Sequence, residues 1–175
     1  LDSETIHYLT RVHRLGEGGQ AMAFDGKGNE ATVALRRHEN RWYAEIVGPV
    51  QSGRSGGPLI LCFGLAKGEK LDLVVRQACE LGVSRVELVQ TERSVVRLEG
   101  GHAAKRLARL NKIAAEASRQ CGRADIMKVQ GPRALPTLAS ELRDAKTKLV
   151  MHPSAGQEIG STGLRDSGAI LVGPE

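Results

Sequence analysis

Residues 59–90 read LILCFGLAKGEKLDLVVRQACELGVSRVELVQ, and the order of patterns inside this stretch decides the fold. Leu59 to Gly64 is a short apolar run of strand length. Gly68 to Leu81 predicts a helix, with Gly82 placed to cap it, and Arg85 to Val89 returns to a strand. Downstream, His102 to Cys121 predicts a second helix, while Lys148 to Met151 and Ala169 to Val172 predict further strands. Strands alternating with helices imply a parallel α/β sheet over residues 59–175.

Upstream the period changes. Ile6, Leu9, Val12 and Leu15 suggest a short helix from about Glu4 to Leu15. Ala21 to Asp25, Ala31 to Arg37 and Trp42 to Val50 look like strands, and Asp25-Gly26-Lys27-Gly28-Asn29 is dense in turn residues. Residues 1–52 therefore read as a small β-rich module. Gly53-Arg54-Ser55-Gly56-Gly57-Pro58 has the flexible composition of a linker, so residues 53–58 are taken to join two domains.

The second helix is two-faced. Ala103, Leu107, Leu110, Ala114, Ala117 and Cys121 recur at steps of three and four and form an apolar stripe that should face a core. Lys105, Arg109, Lys112, Glu116, Arg119 and Arg123 recur on the opposite side, and Gly122 suits a left-handed C-cap. From Arg85 to Arg123 there are nine Lys or Arg against four acids, an excess equal to the formal net charge of +5 for the whole chain. The positive field is thereby concentrated on one element. Such a run is often an ordinary solvated face, but only Glu116 is available for pairing along the helix. A polyanion is the expected partner. Nucleic acid fits better than a membrane, because the other face is rich in Ala and lacks a bulky apolar array.

With 175 residues and 41% hydrophobic content the chain has enough material for a core. No run approaches the roughly 18 apolar residues of a membrane span and no signal-peptide pattern opens the chain, so a soluble cytoplasmic protein without membrane association is expected. Cys62, Cys79 and Cys121 match neither a zinc pattern nor a disulfide framework and read as buried thiols. The five histidines lack metal spacing, and no metal site is expected. One Trp, two Tyr and two Phe are too few for a stacking platform, which leaves RNA shape and backbone as the basis of recognition. The final strand, Ala169 to Val172, is of the kind that leads into a functional loop and another helix, yet only Gly173-Pro174-Glu175 follows. The chain is expected to be a fragment, inactive by itself.

Several ordered segments together resemble one family. They are Leu9 to Leu15 with Phe24-Asp25-Gly26, Lys67-Gly68-Glu69-Lys70 with Glu80-Leu81-Gly82-Val83, Thr91-Glu92-Arg93-Ser94, the run EASRQCGR at 116–123, His152-Pro153, and Gly173-Pro174-Glu175. In this order they resemble the RsmE-type 16S rRNA uracil-N3 methyltransferases of the SPOUT, or trefoil-knot, superfamily. The resemblance implies an N-terminal PUA-like β-barrel domain and a C-terminal SPOUT α/β domain whose knot is truncated here. It further implies S-adenosylmethionine as cofactor, homodimerisation, and a target uridine in 16S rRNA of the small ribosomal subunit. By position, Met151, His152, Pro153, Leu171, Gly173, Pro174 and Glu175 would belong to the cofactor pocket. Arg93, Gln120 and Arg123 would line the approach to the target base, and the catalytic role of stabilising the uracil anion is expected of Arg123 or Arg93, from their place on the basic stripe and the loop before it. Arg11 and Arg14 would join Lys105, Arg109, Lys112 and Arg119 in holding RNA. The chain departs from the family at Arg76-Gln77, where Gln-Lys is typical, and at His13, where an aliphatic residue is usual. A non-catalytic RNA-binding protein, or a related enzyme with another RNA target, is the alternative reading.

Overall fold

In a computed structural model, described for residues 1–39, 41–67, 69–91, 100–156, 158–159 and 167–173, helix α1 (Ser3–His7) continues as a π turn over Tyr8–Val12. Strands β1 (Gln20–Phe24), β2 (Asn29–His38), β3 (Arg41–Ile46) and β4 (Gln51–Ser52) follow. The rest of the chain gives β5 (Leu59–Gly64), α2 (Lys70–Glu80), β6 (Arg85–Gln90), α3 (Gly100–Gln120), β7 (Lys128–Ala134), α4 (Leu135–Glu141), β8 (Thr147–Met151) and β9 (Gly168–Val172).

The first four strands make an antiparallel sheet in the order β1-β2-β3. Since β1 occupies one edge of Glu30, β4 takes the other by pairing Gln51 with Glu30 and Ser52 with Asn29. Val33 and Leu35 are buried on one face, where Leu35 and Trp42 adjoin Ile6, Leu9 and Thr10 of the N-terminal helical segment. The helix expected from Glu4 to Leu15 is thus shorter, and its second half is widened, with the His13 N–H donating to the Tyr8 carbonyl at 3.1 Å. The strand expected to reach Val50 ends at Ile46.

The second sheet is parallel throughout, in the order β7-β6-β5-β9-β8. Its strands alternate sides as a pleat requires. On β6, Val86 and Leu88 face the larger core, with Leu71, Val75, Cys79, Leu110, Ala114 and Ala117 of α2 and α3. Val89 faces the smaller core on the opposite side, where Cys62, Leu138 and Leu171 meet under α4. The apolar stripe read along the second helix is the stripe that packs. Gly82 and Gly122 end α2 and α3 with φ of +83° and +70°, the left-handed geometry expected of them. Strand β7 and helix α4 escaped the sequence reading. In β7, Gly131-Pro132 looks like a turn, but the strand lies at the sheet edge and its register with β6 shifts there, which accommodates a residue without an N–H.

The stretch taken as a flexible linker is bonded to both modules. Its Gly53 N–H donates to the Gly28 carbonyl of the first, while toward the second the Ala124 N–H donates to the Arg54 carbonyl, Gly57 N–H to Gly82, and Gly168 N–H to Pro58. The turn of the first sheet joins the same seam, through Gly28 N–H to the Ala124 carbonyl and Ile126 N–H to the Gly26 carbonyl, each at 3.2 Å.

Candidate functional site

The chain runs β5 to β6 to β7 in one direction, then crosses to the far edge and returns through β8 to β9, which pairs with β5 on its free side. In an open parallel sheet, ligands bind beyond the carboxyl ends of the strands near such a reversal. One strand from that reversal, at the carboxyl end of β8, Leu149, Val150, Met151, His152, Ala155, Glu158 and Ile159 line a hollow of about 410 Å³. Apolar side chains are left in the open there, Val150 at 68% exposure and Ile159 at 47%. The segment after β8 turns tightly, its Ala155 N–H bound to the His152 carbonyl and its Ser154 N–H to His152 Nδ1.

Of the residues the resemblance assigns to a cofactor, Met151 and His152 line this hollow, and Gly173 lies one position beyond the Met151–Val172 pair. Pro153 is exposed beside them. The Leu171 side chain goes elsewhere, into the smaller core under α4. Pro174, Glu175 and Arg93 lie outside the described residues.

Lys105, Lys112, Arg119 and Gln120 are exposed on α3 as expected. Arg109 is more constrained. It forms an ion pair with Asp72 of α2, and Arg106 stands 4.0 Å from the same carboxylate. Reading one helix could not reveal an acid supplied by its neighbour. Arg11 and Arg14 are exposed after α1. Between the two segments lies a cleft of about 590 Å³, with Asp2, Glu4, His7, Tyr8 and Val12 on one wall and Lys112, Glu116, Arg119 and Gln120 on the other. The cleft places the first module directly beside the basic helix.

Arg123 corrects the expectation of a free base on that helix face. It is 2% exposed, and its guanidinium is spent on the protein. Nε and Nη2 hold the two oxygens of Asp125 at 2.9 and 2.7 Å, and Nη1 donates to the carbonyls of Val83 at 2.8 Å and Cys79 at 3.2 Å. The Asp125 carboxylate also accepts from the Gly56 N–H. Burial pushes Asp125 up, but the Arg123 hydrogen bond and charge bring it below the usual carboxylate range, while Asp125 in turn raises Arg123. Position 123 follows Gly122, whose left-handed turn swings the chain off the helix axis and takes the side chain inward.

Two further ionisable groups are buried. Glu87 is fully covered, and burial raises its carboxyl despite Arg85 Nε at 2.8 Å and Arg133 Nε at 3.6 Å. Burial pushes the Cys62 thiol up to about 11, so it is an inert core residue; Cys79 is buried and Cys121 partly so, and all three are free. Among the described residues, no group of His, Cys, Asp and Glu is arranged to hold a metal, and no helix is long and apolar enough to cross a membrane. The sequence reading missed Tyr8. Its signal was an aromatic off the Ile6 and Leu9 stripe that meets Leu35 and Trp42; Val12, expected on that stripe, is instead 60% exposed and lines the cleft beside Tyr8.

A family model described as an RNA methyltransferase domain matches residues 54–175. The ribosomal RNA small subunit methyltransferase E of Bacillus subtilis is 26% identical over 186 residues, covering all of this chain and 73% of that protein. The protein of the same name from Mycobacterium bovis is 26% identical over 190 residues, covering all of this chain and 70% of its own length. Among solved structures, a ribosomal RNA small subunit methyltransferase E from Neisseria gonorrhoeae, bound to S-adenosyl methionine, superposes with a TM-score of 0.84 at 27% identity, over all of this chain and 73% of that one.

Proposed function

Since the chain belongs to the RNA methyltransferase domain family, we propose that it is the S-adenosylmethionine-dependent enzyme that methylates N3 of a uridine in 16S rRNA of the small ribosomal subunit. The observation that carries this reading is the hollow beyond β8 and β9, which lies at the ligand-binding edge of a parallel sheet. Its residues fit the cofactor. Leu149, Met151 and Ile159 offer apolar surface to an adenine ring, His152 and Glu158 are polar groups beside it, and Gly173 follows the Val172 that pairs with Met151. Met151, His152, Pro153 and Gly173 would hold the cofactor, together with Pro174 and Glu175. When bound, it supplies an electrophilic methyl group.

The chain's part is to present uracil N3 without its proton. A cation beside the ring favours the anionic base, and a positioned acceptor removes the proton. With Arg123 committed to Asp125, this role falls to Arg93, which follows β6 in the sequence. The exposed bases of α3, with Arg11 and Arg14, would hold the RNA backbone. A PUA-like first module, a trefoil knot in the second and a homodimer belong to the same proposal. Primer extension by reverse transcriptase on small-subunit rRNA tests it, because N3 methylation blocks pairing and halts extension. A stop that vanishes on deleting the full gene and returns on complementation is expected; an unchanged profile would reject the N3-uridine assignment.

A further inference from the structure

The cleft between α1 and α3 is too large to be a packing gap and has the wrong charge for a phosphate. Its volume, about 590 Å³, is that of a small-molecule site. Three carboxylates (Asp2 and Glu4 on one wall, Glu116 on the other), two cations (Lys112 and Arg119) and His7 line it. Asp2 is occupied at the helix N-terminus, where it accepts from the Thr5 N–H at 2.7 Å. Glu4 and Glu116 remain as acceptors, and ionised carboxylates accept hydrogen bonds only. Glu116 sits one helical turn from both Lys112 and Gln120.

Tyr8 supplies the other half of a base site. It is 50% exposed and lines the cleft. The π turn closes a hydrogen bond from residue 13 back to residue 8, bringing the two side chains together. The His13 ring accordingly meets Tyr8 edge-on, with centroids 4.6 Å apart and planes at 74°. An exposed ring braced in this way offers a face on which a base can stack at little ordering cost.

We propose that this cleft binds an unpaired guanosine of the RNA, stacked on Tyr8 and read by Glu116. Guanine fits best because its Watson–Crick edge presents two adjacent N–H donors to one carboxylate. Cytosine and adenine present an amino group alone, and uracil a single ring N–H. The flanking phosphates stay outside, where Arg11 is exposed next to Val12 of the cleft wall. The inference rests on the RNA-binding reading above and adds to it a base preference and the residues that set it.

Fluorescence anisotropy of the full chain with labelled short uridine oligomers, carrying a single central guanosine, adenosine or cytidine, separates the two ideas. The guanosine oligomer is expected to bind tightest. Tyr8→Ala should weaken it roughly tenfold, on the order of one lost base–aromatic stack, while Tyr8→Phe retains binding. Glu116→Gln should abolish the preference for guanosine without abolishing binding. Equal affinity for all the oligomers, unchanged by Tyr8→Ala yet still weakened by Arg119→Ala, would overturn the base site and leave RNA binding standing. Failure of every oligomer to bind, indifferent to Arg119→Ala, would remove both. Circular dichroism of each variant keeps loss of fold distinct from loss of contact.

Discussion

Arg123 and Glu87 are both buried and charged, and the protein treats them in opposite ways. Arg123 has a bidentate acid and two carbonyls, so its charge is satisfied. Arg123→Ala would leave Asp125 and two carbonyls without their partner, and a loss of about 3–5 kcal/mol is expected in urea unfolding. Arg123→Lys should recover only part of it, since one ammonium cannot reach Asp125 and both carbonyls in a fork geometry. Unfolding at wild-type denaturant concentration would contradict the structural role. Because Asp125 is lowered in the folded state, its contribution is complete above the ordinary carboxylate pKa and is lost as the pH falls through the lowered value. Glu87 has the reverse sign. Its carboxyl is raised by burial, so the folded state binds the proton more tightly, and stability falls as the pH rises from the unfolded value through the raised one. Glu87→Gln should flatten that part of the stability–pH curve and leave the protein no less stable at pH 7, as thermal unfolding across a pH series would show. A variant that is less stable than the parent at pH 7, having lost a gain in stability with rising pH, would mean that Arg85 and Arg133 outweigh burial.

At the scale of the element, α3 holds the second sheet with one face and offers charge with the other, so substitutions on the two faces should fail differently. Leu110 is fully buried, and Leu110→Ala is expected to cost about 2–5 kcal/mol. Lys112→Ala and Arg119→Ala should leave unfolding almost unchanged while lowering RNA affinity, and each should reduce the slope of log affinity against log salt by about 1. Arg109→Ala belongs between these classes, because it takes the nearer of two cations from Asp72, whose side chain is only 11% exposed, and leaves it Arg106 at 4.0 Å. It should lower the melting temperature more than either exposed substitution does. The two faces of α3 were legible in the sequence because a periodic helix determines which residues share a side. Its charge balance was not, since Asp72 comes from α2 and Asp125 from the following loop. The same limit explains β7 and α4. Gly131-Pro132 is a breaker in isolation and becomes tolerable only at a sheet edge, and Leu135-Pro136 opens a helix of seven residues, too short to show a period. The π turn was hidden for a related reason, because Ile6, Leu9, Val12 and Leu15 keep helical spacing whether or not the turn between them widens.

For the whole molecule, the decisive feature is the seam between the sheets, which composition disguised as a loose connection. Glycine in residues 53–58 supplies closeness here as much as flexibility. A Cβ on Gly56 would stand 2.4 Å from Arg123 Nη2 and 2.9 Å from its Cζ, and one on Gly53 would stand 2.5 Å from the Ala124 Cβ. The seam also fixes the cleft, since α1 moves with the first sheet and α3 leads directly into Arg123 and Ala124. Gly56→Ala should therefore displace the guanidinium, costing about 1–3 kcal/mol as overpacking does, and should also shift one wall of the cleft against the other. The hollow beyond β8 is lined by Leu149 to Ile159, and its sheet meets the seam at the start of β9, through the Gly168 N–H to the Pro58 carbonyl, away from Gly56. RNA affinity should consequently fall in Gly56→Ala while the affinity for S-adenosylmethionine, measured by calorimetry, stays near that of the parent. Gly16→Ala is the matched control, because nothing lies within 4 Å of the added carbon. If Gly56→Ala weakened cofactor and RNA equally, the two sheets would form a single binding unit and the seam would be part of the cofactor site; if it weakened neither, the cleft would owe nothing to the way the sheets are joined.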